Sequence, residues 1–269
     1  MPTSITTCAI VIPAYKKEIN FFEKASLKRC IKIFKGYPLI LIAPQSLDTG
    51  NYTRLFPFKI ERFLDESFLS VRSYSRLLLT ADFYSRFAEY SYILMYQPDA
   101  YVFRNELDYW CSQGYDYIGA SVPERPLTDL YKHKVLTEDR RGSIFFGNGG
   151  LSLRKVDTFI KMLSSENPEI DRLLDLNINE DLINCLLLHK HGKNLPDKEN
   201  AMRFSIDAYP ARAFEASNHK LPFGCHGWYR NDSEYYDSYF WMPKIFPIRG
   251  YLYRITQKIH NILVTFTRN

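Results

Sequence analysis

The chain has 269 residues, 35 Lys and Arg against 30 Asp and Glu, a formal net charge of +5, and 46% hydrophobic and 24% charged residues. Chains of this length bury roughly 70 to 75% of the surface they expose when unfolded, so a full core forms without disulfides or a structural metal, which excludes disorder and a stapled mini-protein. No stretch reaches the roughly 18 to 20 apolar residues that span a bilayer, and the first apolar run is too short for a signal peptide, which predicts a cytoplasmic protein.

The run CAIVIP, Cys8 to Pro13, is apolar without alternation, the habit of a strand buried on both faces. Leu27, Ile31 and Phe34 then recur at helical spacing, with Gly36 and Pro38 as stop signals, and PLILIAP follows as a second strand. Strand, helix, strand predicts an α/β sheet with helices on its faces. After the turn residues Asp48 to Asn51, KIERFL reads as a third strand, and the stretch from about Ser70 to Glu89 as one helix with Leu77, Leu78, Ala81, Tyr84 and Phe87 along its apolar side. SYILMY is a further strand running into QPDAYVF. SQGYDYIGA suggests a short strand, and Pro123 to Gly142 a long loop carrying Arg125, Lys132, Lys134, Arg140 and Arg141. GNGGLSLRKVDTFIKML reads as a glycine turn, a short strand and a helix, and INEDLINCLLLHKHG as another helix. No repeat or interdomain linker appears, so residues 1–243 are expected to form one domain and 244–269 a tail. The five cysteines (8, 30, 111, 185, 225) are odd in number and scattered, which predicts reduced, structural thiols.

Four places carry chemistry. Asp99 ends an apolar strand abruptly, with Gln97 two residues before it, and ligands of open α/β sheets bind at the carboxyl ends of strands; alternatively Asp99 caps a turn after Pro98. GNGG, Gly147 to Gly150, lets backbone approach a ligand closely or simply makes a tight turn, and it matches neither a dinucleotide fingerprint nor a Walker A loop. Glu180 and Asp181 follow Asn179, a candidate N-cap, where acids also suit the positive end of a helix without any chemistry. His226 lies in CHGW beside Cys225, an adjacency insufficient for a catalytic pair.

In that order QPD, GNGG, NED and CHGW resemble the DxD motif, glycine-rich loop, xED motif and late histidine of GT-A-fold, sugar-nucleotide-dependent glycosyltransferases. The resemblance runs from about Cys8 to Trp228, and the wording QPDAYVF, YDYIGA and GNGGLSLRK is similar to bacterial GT-A-like proteins of surface polysaccharide synthesis. It implies a single GT-A-like (Rossmann-like) domain with a mostly parallel central sheet flanked by helices, and a nucleotide diphosphate sugar as donor, UDP-sugar favoured. It further implies a saccharide acceptor, free or lipid-linked, and an inverting transfer. Asp181 is then the base that takes the acceptor proton, with Glu180 its nearest rival or an acceptor-hydroxyl ligand. The donor site is expected to include Pro13, Tyr15, Lys16, Arg76, Gln97, Asp99, Gly149, Gly150, His226 and Trp228, with Tyr15, Tyr101 and Trp228 as stacking surfaces.

Gln97 departs from the pattern, since the family usually has an acid there. Asp99 and His226 would then hold Mn²⁺ or Mg²⁺ together with the diphosphate, His226 favouring Mn²⁺. Alternatively Lys16, Arg72, Arg76, Arg140 and Arg141 neutralise the leaving group without a metal. A non-catalytic sugar-nucleotide or glycan-binding protein is the competing function, suggested by the incomplete acidic motif. A nucleotidyltransferase ranks lower, because VIPAYKKE contains no glycine.

The charge has an address. After Asp237, the last acidic residue, come Lys244, Arg249, Arg254, Lys258 and Arg268, so the excess of +5 lies in the tail and the body is balanced. A balanced body argues against nucleic acid. Taken as a helix, the tail aligns Leu252, Ile255, Ile259, Ile262, Leu263 and Phe266 opposite Arg254 and Lys258, the pattern of a peripheral anchor on an anionic membrane; a helix docked on the body or a dimer partner is the alternative.

Overall fold

The computed structural model describes residues 8–121, 128–136, 145, 147–232 and 235–247. Its strands are β1 (Cys8–Pro13), β2 (Leu39–Pro44), β3 (Lys59–Phe63), β4 (Tyr92–Tyr96), β5 (Tyr101–Val102), β6 (Tyr117–Ser121), β7 (Gly147–Lys155), β8 (Ser205–Ile206), β9 (Gly224–Cys225), β10 (Asn231–Asp232) and β11 (Tyr236–Asp237). Helices α1 (Phe21–Ile33), α2 (Gly50–Thr53), α3 (Val71–Leu78), α4 (Ala81–Ser85), α5 (Leu107–Ser112), α6 (Thr128–Lys132), α7 (Val156–Leu163), α8 (Asn167–Asp175), α9 (Glu180–Lys190), α10 (Lys198–Phe204), α11 (Pro210–Ala216) and α12 (Ser238–Ile245) surround them.

Nine strands form one sheet in the order β3-β2-β1-β4-β7-β6-β8-β9-β5, and β10 pairs with β11 separately. β3, β2, β1 and β4 run parallel, as do β6, β8 and β9, while β7 is antiparallel to both β4 and β6. The register sets Tyr96 of β4 opposite Leu151 of β7. The start of β7 therefore lies beside the carboxyl end of β4, and the glycines of GNGG meet the turn that carries Asp99.

Side-chain alternation builds a core on each face of the sheet. Ala9 and Val11 pack with Ile40, Ile42, Phe83 and Phe159, while Ile10 and Ile12 pack with Leu27, Cys30 and Phe34. Each Val, Leu, Ile or Phe side chain among them, fully buried, contributes about 1.5–3 kcal/mol. A third cluster joins Ile206, Cys225 and Trp228 to Phe240, Trp241, Met242 and Ile245 of α12. All five cysteines are free and buried.

Several expectations change. The helix expected over 70–89 divides, because Thr80 leaves the helix and its hydroxyl caps α4 by accepting from Phe83 N at 3.2 Å. The glycine turn is instead the first half of β7, a nine-residue strand. Within the expected long loop, residues 128–132 form α6; Arg125, Arg140 and Arg141 lie outside the described residues. The boundary expected at 243/244 falls inside α12, and residues 248–269, with the tail's apolar stripe, lie outside the described residues. Among the described residues no helix is long and apolar enough to cross a membrane.

Candidate functional site

A cleft of about 850 Å³ opens at the carboxyl ends of β1 and β4. Pro13 at the end of β1 and Tyr15 and Lys16 just after it line it, with Gln97 and Asp99 after β4, Gly149 and Gly150 from β7, Glu180 and Asp181 from α9, and His226 after β9. Segments far apart in the chain converge there because parallel strands all end on one edge of the sheet.

Asp99 sits in a turn closed by Ala100 N donating to Gln97 O at 2.8 Å, so the turn expected after Pro98 is present and holds Asp99 in the cleft. Gln97 N donates to Gly150 O at 2.8 Å, fixing the turn to β7. His226 is buried, with Nδ1 2.6 Å from Asp207 Oδ1 and Nε2 3.1 Å from both Gln97 Oε1 and Asp99 Oδ1. Burial pulls the imidazole pKa down, but the charge of Asp99 and the hydrogen bonds to Asp207 and Asp99 outweigh it and hold it up at about 10. Burial works the other way on Asp99, and the neighbouring His226 charge and hydrogen bond overcome it, leaving that carboxyl below its ordinary value. The two are thus an ion pair of imidazolium and carboxylate.

Gly150 is required here. A Cβ on it would stand 2.1 Å from His226 Nε2. Gly149 is hemmed in similarly, since its Cβ would meet Glu180 Oε2 at 2.8 Å and an Arg154 guanidinium nitrogen at 2.9 Å.

Glu180 and Asp181 occupy the first turn of α9, where the helix dipole favours negative charge. Asn179 caps that helix by position, but its side chain makes no capping hydrogen bond and lines the cleft instead. Glu180 Oε1 accepts from Arg154 at 2.6 Å and from Asn184 at 2.5 Å. Burial raises its carboxyl pKa, Arg154 opposes, and Asp181 adds to the rise. Asp181 is 6% exposed and its Oδ1 accepts from Leu182 N at 2.9 Å.

Lys16 reaches the cleft beside buried Glu23, 2.7 Å away. Glu23 also completes the capping box of α1 with Asn20 and accepts from Tyr229 OH at 3.3 Å, so one carboxylate ties the helix start to the cleft wall.

Two expected donor-site residues lie elsewhere. Arg76 projects from the exposed side of α3 and pairs with Asp171 at 2.5 Å, as Arg72 does with Asp175 at 2.6 Å. Trp228 is completely buried, its ring against Phe22, Tyr101 and Tyr229 and its Nε1 donating to Ser26 Oγ at 3.1 Å, so no ring face is left for a ligand. Its backbone amide reaches Asp99 O at 3.4 Å. Tyr101 packs on Trp228 and Phe103 and does not line the cleft.

Others were missed. Arg230 lines the cleft with its guanidinium 4.0 Å from the centre of the Tyr236 ring. Gly227 lies in the left-handed region at φ 63°, and Arg230 N donates to Gly227 O at 3.0 Å, a turn that returns Arg230 to the cleft holding His226. The spacing of His226, Gly227 and Arg230 in CHGWYR was the available signal. Buried Asp207 and Arg154 had none, since a lone acid after a two-residue strand and a lone base within β7 leave no periodic signature.

The donors fit a divalent ion only partly. Asp99 and His226 offer one oxygen and one nitrogen 3.1 Å apart, and among the described residues no three His, Cys, Asp or Glu side chains gather to hold a metal. That set suits an ion completing its shell with substrate phosphates, and the ion would have to displace the Nε2 proton.

Two solved structures share this architecture. The galactosyltransferase LgtC in complex with donor and acceptor sugar analogues aligns over 84% of this chain and 91% of its own, at 14% identity and a TM-score of 0.54. An active-site mutant of LgtC aligns over the same shares at 16% identity and a TM-score of 0.57. The fold is therefore GT-A-like, an α/β domain with a large, mostly parallel sheet flanked by helices. No curated protein matches the chain. Residues 57–226, which span the acidic turn, β7, α9 and His226, match the family described as "Protein of unknown function (DUF5672)", and the chain belongs to that family.

Proposed function

We propose that the protein is a glycosyltransferase that moves a sugar from a nucleotide diphosphate sugar to a hydroxyl of a saccharide acceptor. The observation that carries this is the convergence in one cleft of charged groups (Lys16, Asp99, His226, Arg230) with a carboxylate, Asp181, at the start of α9. A sugar hydroxyl is a poor nucleophile at neutral pH, and Asp181 is the group we assign to take its proton as it attacks the anomeric carbon. Direct attack assisted by such a base inverts that carbon. The departing diphosphate gathers negative charge, which Arg230 and Lys16 neutralise from the cleft wall. Gln97 offers an amide to a ribose hydroxyl or a phosphate oxygen. Mn²⁺ or Mg²⁺, held by Asp99 and His226, would add positive charge against the same phosphates.

The finer assignments belong to the same proposal. UDP-sugars are the favoured donors, and the acceptor is a free or lipid-linked saccharide of bacterial surface glycan synthesis, supported by the resemblance of QPDAYVF, YDYIGA and GNGGLSLRK. A lipid-linked acceptor suits the apolar side of the cleft, where Phe68 and Val71 lie, Val71 being 76% exposed. The basic, apolar-striped tail would hold a cytoplasmic enzyme against the inner face of the membrane; removing residues 249–269 spares α12, and unchanged liposome co-sedimentation would eliminate that anchor. A non-catalytic binding protein is the second reading, favoured by Gln97 in place of an acid.

A thermal-shift panel of nucleotide sugars, each with and without Mn²⁺, tests the donor site. Stabilisation by at least one nucleotide sugar, lost in Asp99→Asn, is the expected outcome; a flat panel contradicts it.

A further inference from the structure

Arg154 is a fully buried arginine in the strand that walls the cleft. Its guanidinium donates to Glu180 Oε1 at 2.6 Å, Tyr84 OH at 2.8 Å, Ser152 Oγ at 3.0 Å and Gly149 O at 3.4 Å, and it sits 5.7 Å from the Tyr117 ring centre. One side chain thereby joins α4, β7 and the first turn of α9. Glu180 is held in return through one oxygen. Its Oε1 takes both Arg154 and Asn184, which commits one oxygen of the carboxylate to the protein, and its Oε2 lies against Gly149, where a Cβ would stand 2.8 Å away. A buried ion pair is a costly element, since apolar residues of similar volume often stabilise as well or better. Here it stands directly behind Gly149, next to the residue that backs His226.

We propose that the Arg154–Glu180 pair positions the candidate site and takes no part in the reaction: it sets the first turn of α9, and with it Asp181, against the Gly149–Gly150 segment that supports Gln97 and His226. This rests on Asp181 acting as the base. Glu180, on this account, is a positioning residue, and its acidic neighbour alone meets the acceptor. The fork of Arg154 is essential because a lysine cannot reach Tyr84, Ser152, Gly149 and Glu180 together.

The test uses the full chain as wild type, Arg154→Lys, and the double variant Arg154→Met with Glu180→Gln. Removing one partner alone leaves a lone buried charge, whereas the double variant removes both and is expected to keep a melting temperature near the wild type. Donor turnover is measured with the best nucleotide sugar of the panel, and amide hydrogen exchange is followed over residues 147–151 and 179–183. In the double variant kcat is expected to fall about tenfold or more with donor KM within about threefold, since small misplacements cost rate. Exchange is expected to quicken about tenfold in both segments together, with the shape of the pH profile unchanged. Arg154→Lys is expected to fall between the two, and it carries the test if the double variant does not fold. Wild-type kcat and exchange in either variant overturns the proposal, and so does loss of the acidic limb of the pH profile in the double variant, which would make Glu180 the base. If the wild type turns over no donor, the glycosyltransferase assignment fails while the exchange data still decide whether the pair couples the two segments.

Discussion

His226 presents Nδ1 to Asp207 at 2.6 Å inside the protein and leaves Nε2 at the cleft, 3.1 Å from Asp99. A buried carboxylate behind a cleft histidine fixes the ring's orientation and charge. Asp207→Asn keeps the shape and removes the charge, so nucleotide affinity in the presence of Mn²⁺ is expected to fall about 10-fold to 100-fold, measured by titration calorimetry. Unchanged affinity would mean that the ring is held by packing alone.

Asp99 and Asp207 around His226 together set a pH dependence. Folding raises the His226 pKa from its ordinary 6.5 to about 10, so its stabilising contribution is complete below pH 6.5 and is lost as pH rises through about 10. Melting in metal-free buffer across that window is expected to show a steeper decline for wild type than for His226→Gln. Parallel curves would contradict the ion pair.

Gly150→Ala puts a methyl 2.1 Å from His226 Nε2. Either the imidazole leaves or β7 shifts, which costs about 1–3 kcal/mol as overpacking. Lower urea midpoints together with lost nucleotide binding are expected. A variant with wild-type binding would show that the imidazole's place is immaterial.

Arg230 and Arg76 provide a contrast. Arg76→Ala breaks only an exposed pair with Asp171 and is expected to change stability by less than about 0.5 kcal/mol and donor KM hardly at all. Arg230→Ala removes a cleft cation and is expected to weaken donor binding about tenfold, with a reduced salt dependence. Equal effects from the two would remove Arg230 from the site.

Trp228→Phe separates core from ligand contact. Losing the Nε1 bond to Ser26 and part of the indole volume is expected to cost about 1–2 kcal/mol in chemical denaturation, with donor affinity intact. A large loss of affinity at unchanged stability would restore Trp228 as a stacking surface.

The half of the sheet built from β1 to β4 was legible because unbroken apolar runs such as CAIVIP and YILMY leave few alternatives. β8, β9 and β5 were not, since two-residue strands carry no period and exist only through their neighbours. GNGG suggested a turn because glycine usually marks one. In the fold those glycines lie in a strand, Gly149 and Gly150 kept small by Glu180, Arg154 and His226, contacts that no local rule reveals. Motif order brought Asp99, Asp181 and His226 forward, and all three line the cleft. Arg76 was drawn in for its charge, which does not reveal that its partner is Asp171 on the surface, and Trp228 because an aromatic residue near a motif looks the same in sequence whether its ring is buried or open.

The central claim, that the cleft transfers a sugar with Asp181 as base, is tested most directly by steady-state turnover of the nucleotide-sugar panel with saccharide acceptors, by wild type and Asp181→Asn. The account expects glycoside formation from at least one donor, and a fall in kcat of about 100-fold or more in Asp181→Asn while donor binding persists. Absence of turnover from every donor, or an Asp181→Asn enzyme as fast as wild type, would contradict it.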